Sequence, residues 1–219
     1  MIEAVLFDMD GVIIDSEPLH KESFFIMAER LKIDMSTEEY EQFIGRSSIN
    51  QWQYAVENYG LAHPPATLAL EQIKIFLEQL DVPGKAQRSP GLDAILKCIA
   101  SRNLTCGVAS SNNRSAVDKV LSLLELNNHF QVVVTANDTA KAKPAPDLFL
   151  LASEKIGVPP EKCLVIEDAY NGVTAAKAAG MSCVGYRNPN SGKQDLSAAD
   201  YWVDRLEQVV EILELEERA

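Results

Sequence analysis

The chain has 219 residues, enough for one large domain or two unequal ones, with 47% hydrophobic and 24% charged residues. A formal net charge of -12 argues against a nucleic acid or an anionic membrane as partner, and no apolar run approaches a membrane span. The four cysteines lie in apolar context without any Cys-x-x-Cys spacing, so they read as buried thiols of a reducing cytoplasm rather than a disulfide frame.

The first predicted element is a uniformly apolar strand from Ile2 to Phe7, ending in Asp8-Met9-Asp10-Gly11. Residues two apart in a strand point the same way. Two carboxylates about 4 Å apart would repel by roughly 4 kcal/mol at an effective dielectric near 20. The pair therefore asks for a cation, a shared proton, or a kink after Asp8 that turns Asp10 away; taken alone, it could equally just end a strand. From there to Pro90 no strand pattern recurs. Ser16-Glu17-Pro18 opens a helix running to about Leu31, Ser36-Thr37-Glu38-Glu39 forms a capping box, and helical patterns follow over 48–59 and 67–80. Gly60 and Pro64-Pro65 are the stop signals between them.

Beyond Pro90, helices and short apolar strands alternate. Helices are predicted over 92–101, 116–124, 146–156 and 173–179, with an amphipathic terminal helix over 211–218. Strands are predicted over 105–109, 132–135, 163–166 and 183–186, with a weaker one over 201–203. Strands apolar on both faces and separated by helices predict an α/β fold, a doubly wound, Rossmann-like parallel sheet with right-handed crossovers. The strandless interval is then an inserted all-α helical cap over 16–86, and the catalytic core is 1–15 with 87–219. The insertion follows the C-terminal end of a strand, where open α/β sheets bind ligands, so a lid is expected there.

Three more polar features fall at predicted strand ends: Ser110-Ser111-Asn112, Lys141-Ala142-Lys143-Pro144, and Glu167-Asp168. Separately they read as a helix cap, a rigid linker and acids favoured by a helix dipole. Together they bring Asp8, Asp10, Glu167 and Asp168 to one edge with a lysine and a hydroxyl. Oxygen donors without His or Cys point to Mg²⁺. A hard cation, Lys143 and a hydroxyl are what a phosphoryl group needs, because its transfer rests on positioning and charge stabilisation.

On these residues the chain resembles the haloacid dehalogenase superfamily, the phosphoaspartate-forming phosphatases and phosphomutases with a helical cap after the first strand. Asp8-Met9-Asp10-Gly11-Val12 with Asp15-Ser16 matches the first motif, Ser110 the second, Lys143 the third and Glu167-Asp168 the fourth. The resemblance implies Asp8 as nucleophile and Asp10 as general acid–base. It also implies Mg²⁺ held by the Asp8 carboxylate, the Asp10 backbone carbonyl and Asp168, with Glu167 as a direct or water-mediated partner, and with Ser110 and Lys143 on phosphoryl oxygens. A dehalogenase is disfavoured, since those enzymes lack an acid at the Asp10 position.

Within the superfamily the chain resembles the β-phosphoglucomutase branch and the sugar-phosphate phosphatases. His20 fits both. Arg46 does not sit where the mutases have their arginine after the cap glycine, and Asn112-Asn113-Arg114 replaces the mutase Ser-Lys-Asn. These departures favour a phosphatase for a small phosphorylated metabolite, such as a sugar phosphate, with the phosphomutase as alternative. His20, Arg46, Ser111, Asn112 and Arg114 are the candidate substrate contacts, and a cytoplasmic monomer is the expectation.

Overall fold

A computed structural model describes residues 1–44 and 48–218. The elements run β1 (Ala4–Phe7), α1 (Glu17–Leu31), α2 (Thr37–Glu41), α3 (Ser48–Tyr59), α4 (Pro65–Leu80), α5 (Leu92–Ser101) and β2 (Thr105–Ala109). They continue with α6 (Arg114–Leu123), β3 (Val132–Val134), α7 (Asp147–Ile156), β4 (Cys163–Glu167), α8 (Tyr170–Ala178), β5 (Ser182–Tyr186), β6 (Tyr201–Val203) and α9 (Val209–Arg218). They form two compact units, residues 1–15 with 87–219, and residues 16–86. Among the described residues, no helix is long and apolar enough to cross a membrane.

The first unit is built on a six-stranded sheet in the order β3-β2-β1-β4-β5-β6, parallel throughout. This is the doubly wound topology expected from the uniformly apolar strands. Every residue of β1 is buried, because helices cover both faces of a parallel sheet. Phe7 pairs with Val108 on one side and Ile166 on the other. That register sets Asp8 level with Ala109 and Glu167 at the C-terminal edge. The Ser110 amide continues the ladder by donating to the Val134 carbonyl at 3.0 Å.

The chain leaves the ladder directly after Asp8, whose amide still donates to the Ile166 carbonyl at 3.0 Å. Gly11 has φ +79°, which an L side chain rarely adopts, and its amide donates to the Ile14 carbonyl at 2.7 Å. The amides of Ile13 and Ile14 donate back to Met9. Ile14 and Arg88 then form an antiparallel bridge where the chain leaves and re-enters this unit.

The helical unit has its own core, with Phe24, Met27, Tyr40, Trp52, Leu68 and Ile75 buried together. Burying side chains of this size contributes about 1.5–3 kcal/mol each. Fully buried Trp52 donates its indole N–H to Gln72 Oε1 at 2.7 Å. Ser36 caps α2, accepting from the Glu39 amide at 3.1 Å, while the Glu39 carboxylate takes the hydroxyls of Tyr54 and Tyr59.

Two helices of the first unit begin earlier than the hydrophobic pattern predicts. α6 starts at Arg114 because Asn113 caps it, its side chain accepting from the Ala116 amide at 2.9 Å. α8 starts at Tyr170, where apolar periodicity has not yet begun.

Candidate active site

β1, β2 and β4 and the loop after β3 converge at the C-terminal edge of the sheet. Asp8, Ser110, Glu167 and Asp168 are all buried there. The Lys143 ammonium donates to Asp8 Oδ1 at 2.5 Å, Glu167 Oε1 at 2.7 Å and the Ala109 carbonyl at 2.9 Å. It also lies 4.7 Å from the centre of the Phe149 ring. Glu167 Oε2 accepts from the amides of Asp168 and Ala169 at 3.0 and 3.1 Å, which locks this carboxylate at the start of the β4–α8 turn.

One carboxylate oxygen from each of Asp8, Glu167 and Asp168 lies within 4.8 Å of the others. Three carboxylates against one ammonium leave a formal charge of -2, with all ionised, in a buried place. Burial pushes the Asp8 carboxyl up to about 8; Lys143 opposes the rise, and Glu167 and Asp10 add to it. Asp168 is likewise raised by burial and then by Glu167 and Asp8. Burial alone would weaken the Lys143 ammonium, but Asp8 and Glu167 outweigh it and hold the proton above the ordinary lysine range. Oxygen donors with excess negative charge fit a hard divalent cation.

Asp10 does not join this group. Past the kink its Oδ2 accepts from the Asn112 side chain at 2.6 Å. Asn112 is in turn fixed by its amide, which donates to Ser110 Oγ at 3.1 Å, and by its carbonyl, which accepts from Ala136. Ser110 is therefore part of the sheet edge and not a helix cap; the cap falls to Asn113.

Of the candidate substrate contacts, Ser111, Asn112 and Arg114 belong to the first unit and His20 to the helical one. Ser111 is exposed beside Ser110. Arg114 stands on the exposed side of α6, 2.8 Å from Asp118. His20 lies on α1, stacked on Phe76 at 4.1 Å between ring centres. Arg46 lies outside the described residues.

Sequence reasoning passed over Gly172, Asn188 and Ser191. A Cβ at Gly172 would lie 1.7 Å from Glu167 Oε1, so the glycine makes room for that carboxylate under the first turn of α8. Asn188 and Ser191 sit in Asn188-Pro189-Asn190-Ser191-Gly192, whose composition signals only a turn.

Residues 5–186 match the family described as Haloacid dehalogenase-like hydrolase. The Phosphorylated carbohydrates phosphatase of Thermotoga maritima is 29% identical over 97% of this chain and 98% of its own length. The Beta-phosphoglucomutase of Bacillus subtilis is 31% identical over 84% of this chain and 83% of its own. The crystal structure of β-phosphoglucomutase from Clostridium difficile superposes with a TM-score of 0.83 at 27% identity, covering 100% of this chain and 98% of that one. With the match extending from the strand that carries Asp8 to the end of β5, the chain belongs to the haloacid dehalogenase-like hydrolase family.

Proposed function

We propose that the protein is a Mg²⁺-dependent phosphatase acting on a small phosphorylated metabolite, a sugar phosphate, through an aspartyl phosphate. One observation carries this reading. Asp8 is held against Lys143 beside two further acids, while Asp10, two residues on, is turned away onto Asn112. The two acids thus occupy separate places suited to separate jobs.

In this reading an Asp8 carboxylate oxygen attacks phosphorus, and the bond from phosphorus to the ester oxygen breaks. Asp10 donates its proton to the departing oxygen. The Asp10 carboxylate then takes a proton from water as the water oxygen attacks phosphorus, and the aspartyl–phosphorus bond breaks to release inorganic phosphate. Lys143 and the Ser110 hydroxyl hold phosphoryl oxygens, countering charge that would otherwise repel Asp8. Asp8, Glu167 and Asp168, with the Asp10 backbone carbonyl, would hold Mg²⁺, which when bound neutralises charge on the nucleophile and the phosphoryl group.

Water is favoured over a second sugar hydroxyl as the final acceptor. A mutase needs groups for a distal phosphate, and here two candidates are engaged within the protein, Asn112 with Asp10 and Arg114 with Asp118. A panel of phosphorylated sugars with Mg²⁺, followed for free phosphate and for positional isomers, tests this. Phosphate release without isomers is expected. Isomer formation primed by a bisphosphate, with little free phosphate, would overturn it in favour of the mutase.

A further inference from the structure

The loop after β5 is tied to the candidate active site by three side chains, all within the first unit. Asn188, which is buried, donates its amide to the Gly11 carbonyl at 2.8 Å, holding the turn that follows Asp10. Asn190 donates to Asp15 Oδ2 at 2.6 Å. Ser191, also buried, donates its hydroxyl to Asp168 Oδ2. The loop is itself pinned. The Asn188 side-chain oxygen accepts from the Asn190 amide at 2.8 Å, and the Asn188 carbonyl accepts from the Ser191 amide at 3.2 Å. Gln194 donates to the Ser191 carbonyl at 3.0 Å and accepts from the Tyr170 amide at 3.1 Å, joining the loop to the start of α8.

We infer that Ser191 is a positioning residue for the divalent cation, fixing the Asp168 carboxylate for coordination through its hydroxyl. Asp168 follows the last residue of β4, so its backbone is set by the sheet, but its side-chain torsions are not. Gly11 presses on the same carboxylate: a Cβ there would stand 1.9 Å from Asp168 Oδ2 and 3.1 Å from Ser191 Oγ. Asn188 anchors the Gly11 turn and Ser191 anchors Asp168, so one loop sets both walls around this oxygen. A hydroxyl suits the task. It donates to the carboxylate without adding the positive charge of a lysine, which would compete with a cation for the same acid.

This inference rests on the proposed metal dependence, and its test separates the two. Mg²⁺ binding to the full-length protein without substrate is measured by titration calorimetry for wild type, Ser191→Ala and Ser191→Thr, alongside the Tm of each in EDTA. Expected is about a ten-fold weaker Mg²⁺ affinity for Ser191→Ala, near-native affinity for Ser191→Thr, and metal-free Tm values close to wild type. Equal Mg²⁺ affinity in Ser191→Ala and wild type overturns the positioning role while leaving the metal reading intact. Equal weakening in Ser191→Ala and Ser191→Thr also overturns it, because the hydroxyl is then not what matters. A wild type that binds no Mg²⁺ overturns the metal reading and this role with it.

Discussion

Replacing Lys143 by Met keeps most of the aliphatic length of the side chain but removes the ammonium that sits between Asp8 and Glu167 and over the Phe149 ring. At 2.5 and 2.7 Å, and an effective dielectric near 20, each attraction is worth about 6 kcal/mol gross when its carboxylate is ionised. Desolvation of the buried ammonium offsets most of that sum, and breaking such a pair from one side costs about 3–5 kcal/mol net. For a chain of this length that corresponds to a fall in Tm of about 6–20 °C. The loss depends on pH in a definite direction. Without the ammonium the Asp8 carboxyl is pushed further above its ordinary range, so the native variant keeps a proton that the wild type gives up as Asp8 ionises. The deficit is therefore smallest near pH 5 and grows as the pH passes through about 8. Mg²⁺ should narrow the gap, supplying the charge that the variant lacks. Thermal unfolding followed by circular dichroism in EDTA, at both pH values and again with Mg²⁺, measures each part. Equal Tm values for variant and wild type at pH 8 in EDTA would refute the idea that Lys143 compensates these acids.

Asp8→Asn should abolish phosphate release, and Asp10→Asn should slow it by about 10²–10⁴-fold, both with native circular dichroism; substantial turnover in purified Asp8→Asn removes it as nucleophile. In EDTA the wild-type protein should lose stability as pH rises from about 4 to about 8. Burial lifts Asp8 from 3.8 to about 8, so the native state keeps a proton that the unfolded chain has released. One retained proton gives a slope of about 1.4 kcal/mol per pH unit, and urea midpoints that rise over this window would contradict it. Gln72→Leu should cost about 1–3 kcal/mol in urea denaturation by leaving the buried Trp52 indole N–H without its acceptor. An unchanged midpoint would mean that the indole is satisfied another way.

The sheet was legible because its strands are buried on both faces and so written as unbroken apolar runs between helical patterns. The kink after Asp8 was one of three outcomes open in the sequence, with a cation or a shared proton, because two ionised carboxylates facing the same way would repel. What escaped was set by contacts distant in sequence. Asn112 reads as a candidate substrate contact in a cap-like run, yet its side chain meets Asp10, 102 residues away. Ser191 belongs to a loop without periodicity, and its link to Asp168 follows from where β4 and β5 end in the sheet. Helix starts moved for local reasons, since the Asn113 cap begins α6 before apolar periodicity does.

The place of β1 in the middle of the sheet has a consequence for how the chain is made. Ala4 pairs with Thr105 on one side and with Cys163 on the other. At roughly 5–20 residues per second, the second of these partners is synthesised some 8–30 s after the strand it completes. Through that interval Ala4-Val5-Leu6-Phe7 can have β2 on one side but not β4 on the other, and closing so long a loop is slow as well as late. The nucleophile is made well before the residues that come to surround it. A nascent chain halted before β4 therefore carries an apolar strand with one neighbour at most, a segment that chaperones must shield from pairing with other chains.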